Sequence, residues 1–299
     1  MRLLSCLFVA AAVAFCQAPE PDGAGVRAGS LPAKWIAGGP NCVEVPDWQV
    51  QEYNDDFYIL RESGCTNYEK PFLYLIFGKD RVLLEDTGAG KPETLRIVNT
   101  VIESWCKRNG RETIPLLVTH SHSHGDHKAG DAQFVSRPNT SMVPLTVDGT
   151  AQAFGIAKWP ETLGSVDLGG RVIDVVPIPG HDVLSIAFYD RQTGILLTGD
   201  SLYPGRLYVR DFPAFVKSTA RLVEFTQGKV VAHVLGTHIE QAATPYKDYV
   251  VGTKYQPEEH ALPLTRGTLL ELNEGLKTMG TTPKRMAFRD FTIWPSKPS

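Results

Sequence analysis

From about residue 57 onward, short apolar runs punctuated by turn residues alternate with stretches of helical period. "FYILRE" (57–62), "FLYLIF" (72–77) and "RVLLED" (81–86) read as strands, the last two joined by the turn-like "GKD". "KPETLRIVNTVIESWCKRNG" (91–110) reads as a helix. Pro92 lies near its first turn, Leu95, Val98, Val101, Ile102 and Trp105 share one face, and Gly110 closes it. "IPLLVT" (114–119) is the next strand. "SMVPLT" (141–146) and "RVIDVVPI" (171–178) are further strands, with a short helix over about 149–157 between them. "LSIAFYD" and "ILLTG" flank "RQTG" as a hairpin. "FPAFVKSTARLVEF" (212–225) is an amphipathic helix, followed by the strand "VVAHVLG" (230–236). "LTRGTLLELNEGLKTMG" (264–280) is the last helix, and "MAFRDFTI" (286–293) a final strand. Strands mixed with helices throughout predict an α/β (α+β) chain whose sheets are covered by helices on their outer faces. No linker divides residues 48–299, which read as one domain behind a Pro/Gly-rich approach segment, 19–47.

The first 18 residues, "MRLLSCLFVAAAVAFCQA", have another character. One early charge at Arg2 precedes an apolar run from Leu3 to Phe15, which suits a secretory signal and is too short to span a bilayer. Small residues around Ala14, Cys16 and Ala18 place cleavage after Cys16 or Ala18. Bulky Phe15 disfavours a lipoprotein signal ending at Cys16. The mature protein is therefore expected to be exported, periplasmic or secreted, with no stable membrane insertion. Removal of the signal leaves Cys42, Cys65 and Cys106, of which an oxidising compartment permits one pair. None sits in a CxxC spacing, and the sequence does not choose the pair.

Composition adds a large core and little else. The chain is 42% hydrophobic and 21% charged, with a formal net charge of −3. Nothing in that balance favours nucleic acid or an anionic membrane as partner. A small-molecule substrate remains, with oligomeric state open.

"LLVTHSHSHGDHKAG" (116–130) holds four of the eight histidines, at His120, His122, His124 and His127. Adjacent imidazoles add little to a core, whereas neutral imidazole and carboxylate are good metal ligands. His122 and His124 alternate along an extended segment and can share one ion. Asp126 and His127 point differently and can reach a second. Completion is expected from other strand ends, each beside a glycine: His181 in "PIPGHDV", Asp200 in "LLTGDSL" and His238 in "VLGTHIE". His120 falls outside this frame, His233 reads as a packed strand residue, and His260 as a surface or loop residue. Asp182 serves either the site or its own turn.

With HxHxDH and these three strand ends, the chain resembles the metallo-β-lactamase fold superfamily over nearly all of its mature length. The resemblance implies a four-layer αββα sandwich with the site at one edge of two sheets. It implies that His122, His124 and His181 hold a first metal and Asp126, His127 and His238 a second, with Asp200 bridging. Asp86, in "LLEDTGAG", would support the metal loop without binding metal. Two zinc ions sharing a water bring its pKa from 15.7 toward about 7 and supply hydroxide at neutral pH, with iron or manganese as alternative occupants. Asp126 would orient that nucleophile and carry its proton.

The implied function is an exported dinuclear zinc hydrolase of an ester, thioester or lactone. Asp200 and His238 are 38 positions apart, leaving no room for the large domain that nucleic-acid-processing relatives insert there. True β-lactamases of the superfamily typically carry cysteine or serine in place of Asp200, which argues against a dedicated β-lactamase and leaves β-lactam hydrolysis as the alternative. A mononuclear-iron oxidoreductase of the persulfide dioxygenase type is another. Tyr203, Arg206 and Tyr208, in "SLYPGRLYVRDF", are candidate substrate contacts. The competing reading has the tyrosines packing at the base of the following helix.

Overall fold

The structure, a computed structural model, describes residues 25–36, 39–42 and 45–296. The expected leader, 1–18, lies outside the described residues. Six strands form the first sheet: β1 (Trp48–Asn54), β2 (Phe57–Glu62), β3 (Phe72–Phe77), β4 (Val82–Glu85), β5 (Leu116–Thr119) and β6 (Thr140–Met142), in that spatial order. The second has five: β7 (Gly164–Asp167), β8 (Val172–Pro177), β9 (Ile186–Asp190), β10 (Ile195–Leu197) and β12 (His233–Leu235), ordered β12-β10-β9-β8-β7. The helices are α1 (Thr94–Arg108), α2 (Gly125–Lys128), α3 (Val147–Phe154), α4 (Phe212–Phe225) and α5 (Arg266–Met279).

"FLYLIF" has no polar position because both of its faces are covered. Phe72, Tyr74 and Ile76 of β3 join Ile173, Val175 and Phe188 of the second sheet in the core between the sheets. Leu73, Leu75 and Phe77 face the other way, against Val98, Ile102 and Trp105 of α1. The outer face of the second sheet, with Val176, Ala187 and Leu196, packs on Phe215 and Leu222 of α4 and Leu269, Leu272 and Leu276 of α5. These are the four αββα layers expected.

Some elements were not foreseen. β1 and β7 are sheet-edge strands whose burial is thin: Trp48 and Tyr53 in the first, Val166 in the second. With so few inward positions, alternation leaves little trace in the sequence. "MAFRDFTI" is two strands, not one. β13 (Met286–Ala287) and β14 (Thr292–Pro295) pair antiparallel around the polar "RD" turn, closed by Phe288 N–H donating to Phe291 O at 2.8 Å. β14 then pairs in parallel with β11 (Arg206–Val209), giving a third, three-stranded sheet. "SMVPLT" supplies only the short β6, and the short helix begins earlier than expected, capped by Thr146 and ended by the left-handed Gly155. Cys42 and Cys65 form a disulfide, and Cys106 is free and buried.

Two buried charge clusters fix the frame. Arg171 donates to Asp190 Oδ1 at 3.1 Å in the second sheet and to the carbonyls of Asp56 and Phe77 in the first. Near the opposite edge, Arg61 grips Glu259 through both terminal nitrogens, at 2.7 and 2.6 Å, and Lys70 reaches the same carboxylate at 3.2 Å. The three side chains are at most 3% exposed. Glu259→Gln would leave two enclosed cations without an anion. It is expected to cost about 3–5 kcal/mol of stability, read as a lower urea midpoint at unchanged slope. A shift below about 1 kcal/mol, the range of an exposed pair, would contradict this reading.

Candidate metal centre

Five strands end at the same edge of the sandwich, and each hands its polar residue to one place. β4 runs into Asp86, β5 into the His120–His127 loop, β8 into His181, β10 into Asp200 and β12 into His238. Two glycines permit the close approach. Gly199 lies at φ +50°, where a Cβ would come within 2.9 Å of the Ser121 side chain. At Gly236 a Cβ would meet Tyr203.

The potential ligand atoms fall into two groups, His122, His124, His181 and Asp200, and then Asp126, His127 and His238. Within each group all lie within 4.8 Å of one another. His124 Nδ1 is 2.9 Å from both His122 Nε2 and His181 Nε2. Asp126 Oδ2 lies 3.2 Å from both His127 Nε2 and His238 Nε2. Asp200 spans the groups: Oδ2 is 3.6 and 3.3 Å from His122 and His181, and Oδ1 is 3.5 and 3.2 Å from His127 and His238. All seven sequence-expected ligands are thus brought together. Thr237 Oγ1 donates to Asp200 Oδ1 and fixes its plane.

The outward ring nitrogens decide which way the lone pairs point. His127 Nδ1 donates to Asp86 Oδ2 (2.7 Å), His181 Nδ1 to Tyr208 O (2.7 Å) and His238 Nδ1 to Glu69 O (2.9 Å). Ser121 Oγ donates to Asp86 Oδ2, so it accepts from His122 Nδ1 at 3.0 Å. Each neutral ring then turns a bare Nε2 inward. His124 instead offers Nδ1, while its buried Nε2 has no hydrogen-bond partner. One proton on His124 Nδ1 could satisfy only one of its two neighbours. Lone pairs converging at this density need a cation among them, and imidazole with carboxylate is a donor set that suits zinc. The residues fit two such ions.

Charge is sorted between the groups. Burial, reinforced by neighbouring rings, holds His122 well below the ordinary imidazole value and brings His124 down to about 4. Burial lowers His181 as well. In the second group burial alone would depress the rings, but the carboxylates outweigh it: Asp126 and Asp86 raise His127, and Asp200 and Asp126 raise His238. Those rings in turn hold Asp126 and Asp200 far below the usual carboxylate range, against burial. An ion bound there would displace any proton from the inward nitrogens of His127 and His238.

Asp86 anchors the loop from beneath. Its Oδ1 accepts from Ser121 N at 2.8 Å, and its φ of +68° turns both oxygens toward the cluster. His120 lies outside both groups, with Nε2 2.8 Å from Asp131. His233 packs edge-on against Tyr53, and His260 bonds Ala261 O and Asp290. Asp182 does both things considered for it: it accepts from Leu184 N in its own turn and approaches His124 Nε2 to 3.9 Å.

A cleft of about 320 Å³ opens onto the cluster, lined by His124, Asp126, His181, Asp200 and His238. Tyr203 and Tyr208 line it too, but the Tyr203 hydroxyl is turned away to Arg206 O and Glu240 Oε2. Arg206 corrects the sequence expectation. It is buried and held by Glu240, Tyr208 Oη and Tyr249 O, and it does not line the cleft. It shares its strand face with Tyr208, but Glu240 and the Tyr249 carbonyl draw its guanidinium into the wall. Tyr68, Glu69, Arg210, Glu240, Val251 and Ser296 line the cleft without having been foreseen. They come from loops and from the end of the small third sheet, where no periodicity marks them.

A family model described as the metallo-beta-lactamase superfamily matches residues 69–248. Acyl-coenzyme A thioesterase MBLAC2 of Bos taurus is 26% identical over 229 residues, 64% of this chain and 81% of that protein. A hydroxyacylglutathione hydrolase of Chromohalobacter salexigens is 29% identical over 216 residues, 66% and 78% of the two chains. Among solved structures, a metallo-β-lactamase from Pontibacter korlensis superposes with a TM-score of 0.53 at 17% identity. It covers 77% of this chain and 99% of that one, and the likeness bears on fold alone.

Asp86→Asn keeps the size and tolerates the left-handed backbone, yet sets an amide N–H against the His127 and Ser121 donors. Zinc affinity is expected to fall about 10–100-fold, measured by competition with a chelating dye. Unchanged affinity would show that Asp86 does not orient the loop.

Proposed function

We propose, from the premise that this chain belongs to the metallo-β-lactamase superfamily, that it is an exported dinuclear zinc hydrolase acting on a thioester, with oxygen esters and lactones as weaker substrates. The observation that carries the reading is Asp200, with one oxygen toward each imidazole group. His122, His124 and His181 would hold one ion and Asp126, His127 and His238 the other, with Asp200 shared. Such ions, when bound, supply Lewis acidity toward a carbonyl oxygen and make hydroxide available at neutral pH.

The chain's own groups determine the rest. Asp126 lines the cleft between His127 and His238, so its carboxylate can accept a hydrogen bond from an attacking water and orient it. The carbonyls of Tyr208 and Glu69 hold His181 and His238 in one orientation. The cleft phenols are poor proton donors. Burial and Glu240 raise both Tyr203 and Tyr208, and the bond to Glu69 pushes Tyr68 up to about 12. An amine or alkoxide leaving group needs a proton as it departs, whereas a thiol with pKa about 8.5 leaves as the thiolate. That difference favours a thioester over a β-lactam amide. The names of the curated relatives, a thioesterase and a hydroxyacylglutathione hydrolase, support the same choice. The Cys42–Cys65 disulfide supports export, because such bonds persist in oxidising compartments.

Acyl-coenzyme A and acylglutathione thioesters are expected to be turned over with higher kcat/KM than matched lactones or β-lactams. Asp126→Asn is expected to lower kcat by about 10²–10⁴-fold. Faster turnover of β-lactams, or thioester turnover that survives removal of metal by a chelator, would contradict the proposal.

A further inference from the structure

The two ends of the cleft differ in charge. Glu69 belongs to the His238 end, where its carbonyl accepts from His238 Nδ1, and Glu240 is already neutralised by Arg206 at 2.9 Å. Arg210 is the one lysine or arginine among the described lining residues, and its guanidinium has no hydrogen bond or ion pair to another described residue. Asp211, next in sequence, is occupied in capping α4 through Ala214 N. Arg210 N donates to Gly180 O at 2.9 Å, which fixes Arg210 beside the turn that carries His181. It lines the cleft together with His124 and His181. Tyr68, next to Glu69 in sequence, and Val251 also line the cleft, 41% and 58% exposed.

We propose that Arg210 determines specificity by holding an anionic group of the substrate, a phosphate or a carboxylate, at the His124–His181 end of the cleft, while the acyl chain lies along Tyr68 and Val251. The inference rests on the hydrolase reading and narrows it to thioesters whose thiol carrier is anionic. A carrier placed the other way round would set its charge against Glu69. Guanidinium suits either anion, since its fork matches the geometry of both.

Binding of free thiols tests this without turnover. Coenzyme A and pantetheine share one thiol arm and differ in the phosphates. Glutathione and its diethyl ester differ in the carboxylates. Calorimetry on the metal-loaded protein is expected to show tighter binding of the anionic member of at least one pair. Arg210→Gln should shrink that ratio by about tenfold, the size of a charge-assisted hydrogen bond, and Arg210→Lys should keep most of it. The wild-type ratio should also fall with added salt. Loss confined to the coenzyme A pair assigns a phosphate, and loss confined to the glutathione pair a carboxylate. Equal wild-type affinity within both pairs, or a preference that Arg210→Gln retains, overturns the proposal. Charge selectivity without thioester turnover would refute the hydrolase reading alone, and turnover without selectivity this inference alone.

Discussion

Asp200 is almost enclosed, 8% exposed, and each of its oxygens faces a different set of imidazoles. A carboxylate in that setting is tolerable only with positive charge or hydrogen-bond donors against its oxygens. Against burial, its charge and that of Asp126 raise His127 and His238, while burial lowers His122, His124 and His181. The rest of the edge follows from this demand. Gly199 lets Asp200 come down on Ser121, Thr237 fixes the carboxylate plane, and outward hydrogen bonds from four rings aim their lone pairs inward.

The fold exists to bring those strand ends into register. Two sheets pack face to face, and the strands that carry polar tips all terminate at one edge. Phe72 N–H donates to Thr237 O at 2.8 Å and Tyr74 Oη to Gly236 O at 2.5 Å, tying the first sheet to the loop that delivers His238. The Arg61–Lys70–Glu259 cluster secures the neighbouring loop, which supplies the Glu69 carbonyl to the same histidine. Orientation at the site therefore depends on buried electrostatics some residues away from it.

Much of this was legible in the sequence, for identifiable reasons. Strands buried on both faces, such as "FLYLIF", announce themselves by having no polar position. The cluster was legible because histidine and aspartate at HxHxDH spacing have few purely structural uses, and each remaining ligand sits just past an apolar run. Edge strands β1 and β7, the strand β11 and the break between β13 and β14 were not legible, because their residues are half exposed or set by pairing across distant segments. Arg206 and Arg210 show the same limit on a smaller scale. They are four positions apart and chemically identical, yet one is locked onto Glu240 in the wall and the other lines the cleft with no side-chain partner among the described residues. Arg206 lies within β11, and Arg210 just past its end, where the chain bends.

The central claim is that Asp200 joins two metal positions, and stoichiometry tests it most directly. Elemental analysis of the mature protein, purified without added metal or chelator, is expected to give close to two zinc per chain. About one iron per chain, with little zinc, would contradict a dinuclear hydrolase and point to oxidation chemistry at the His122–His124–His181 end.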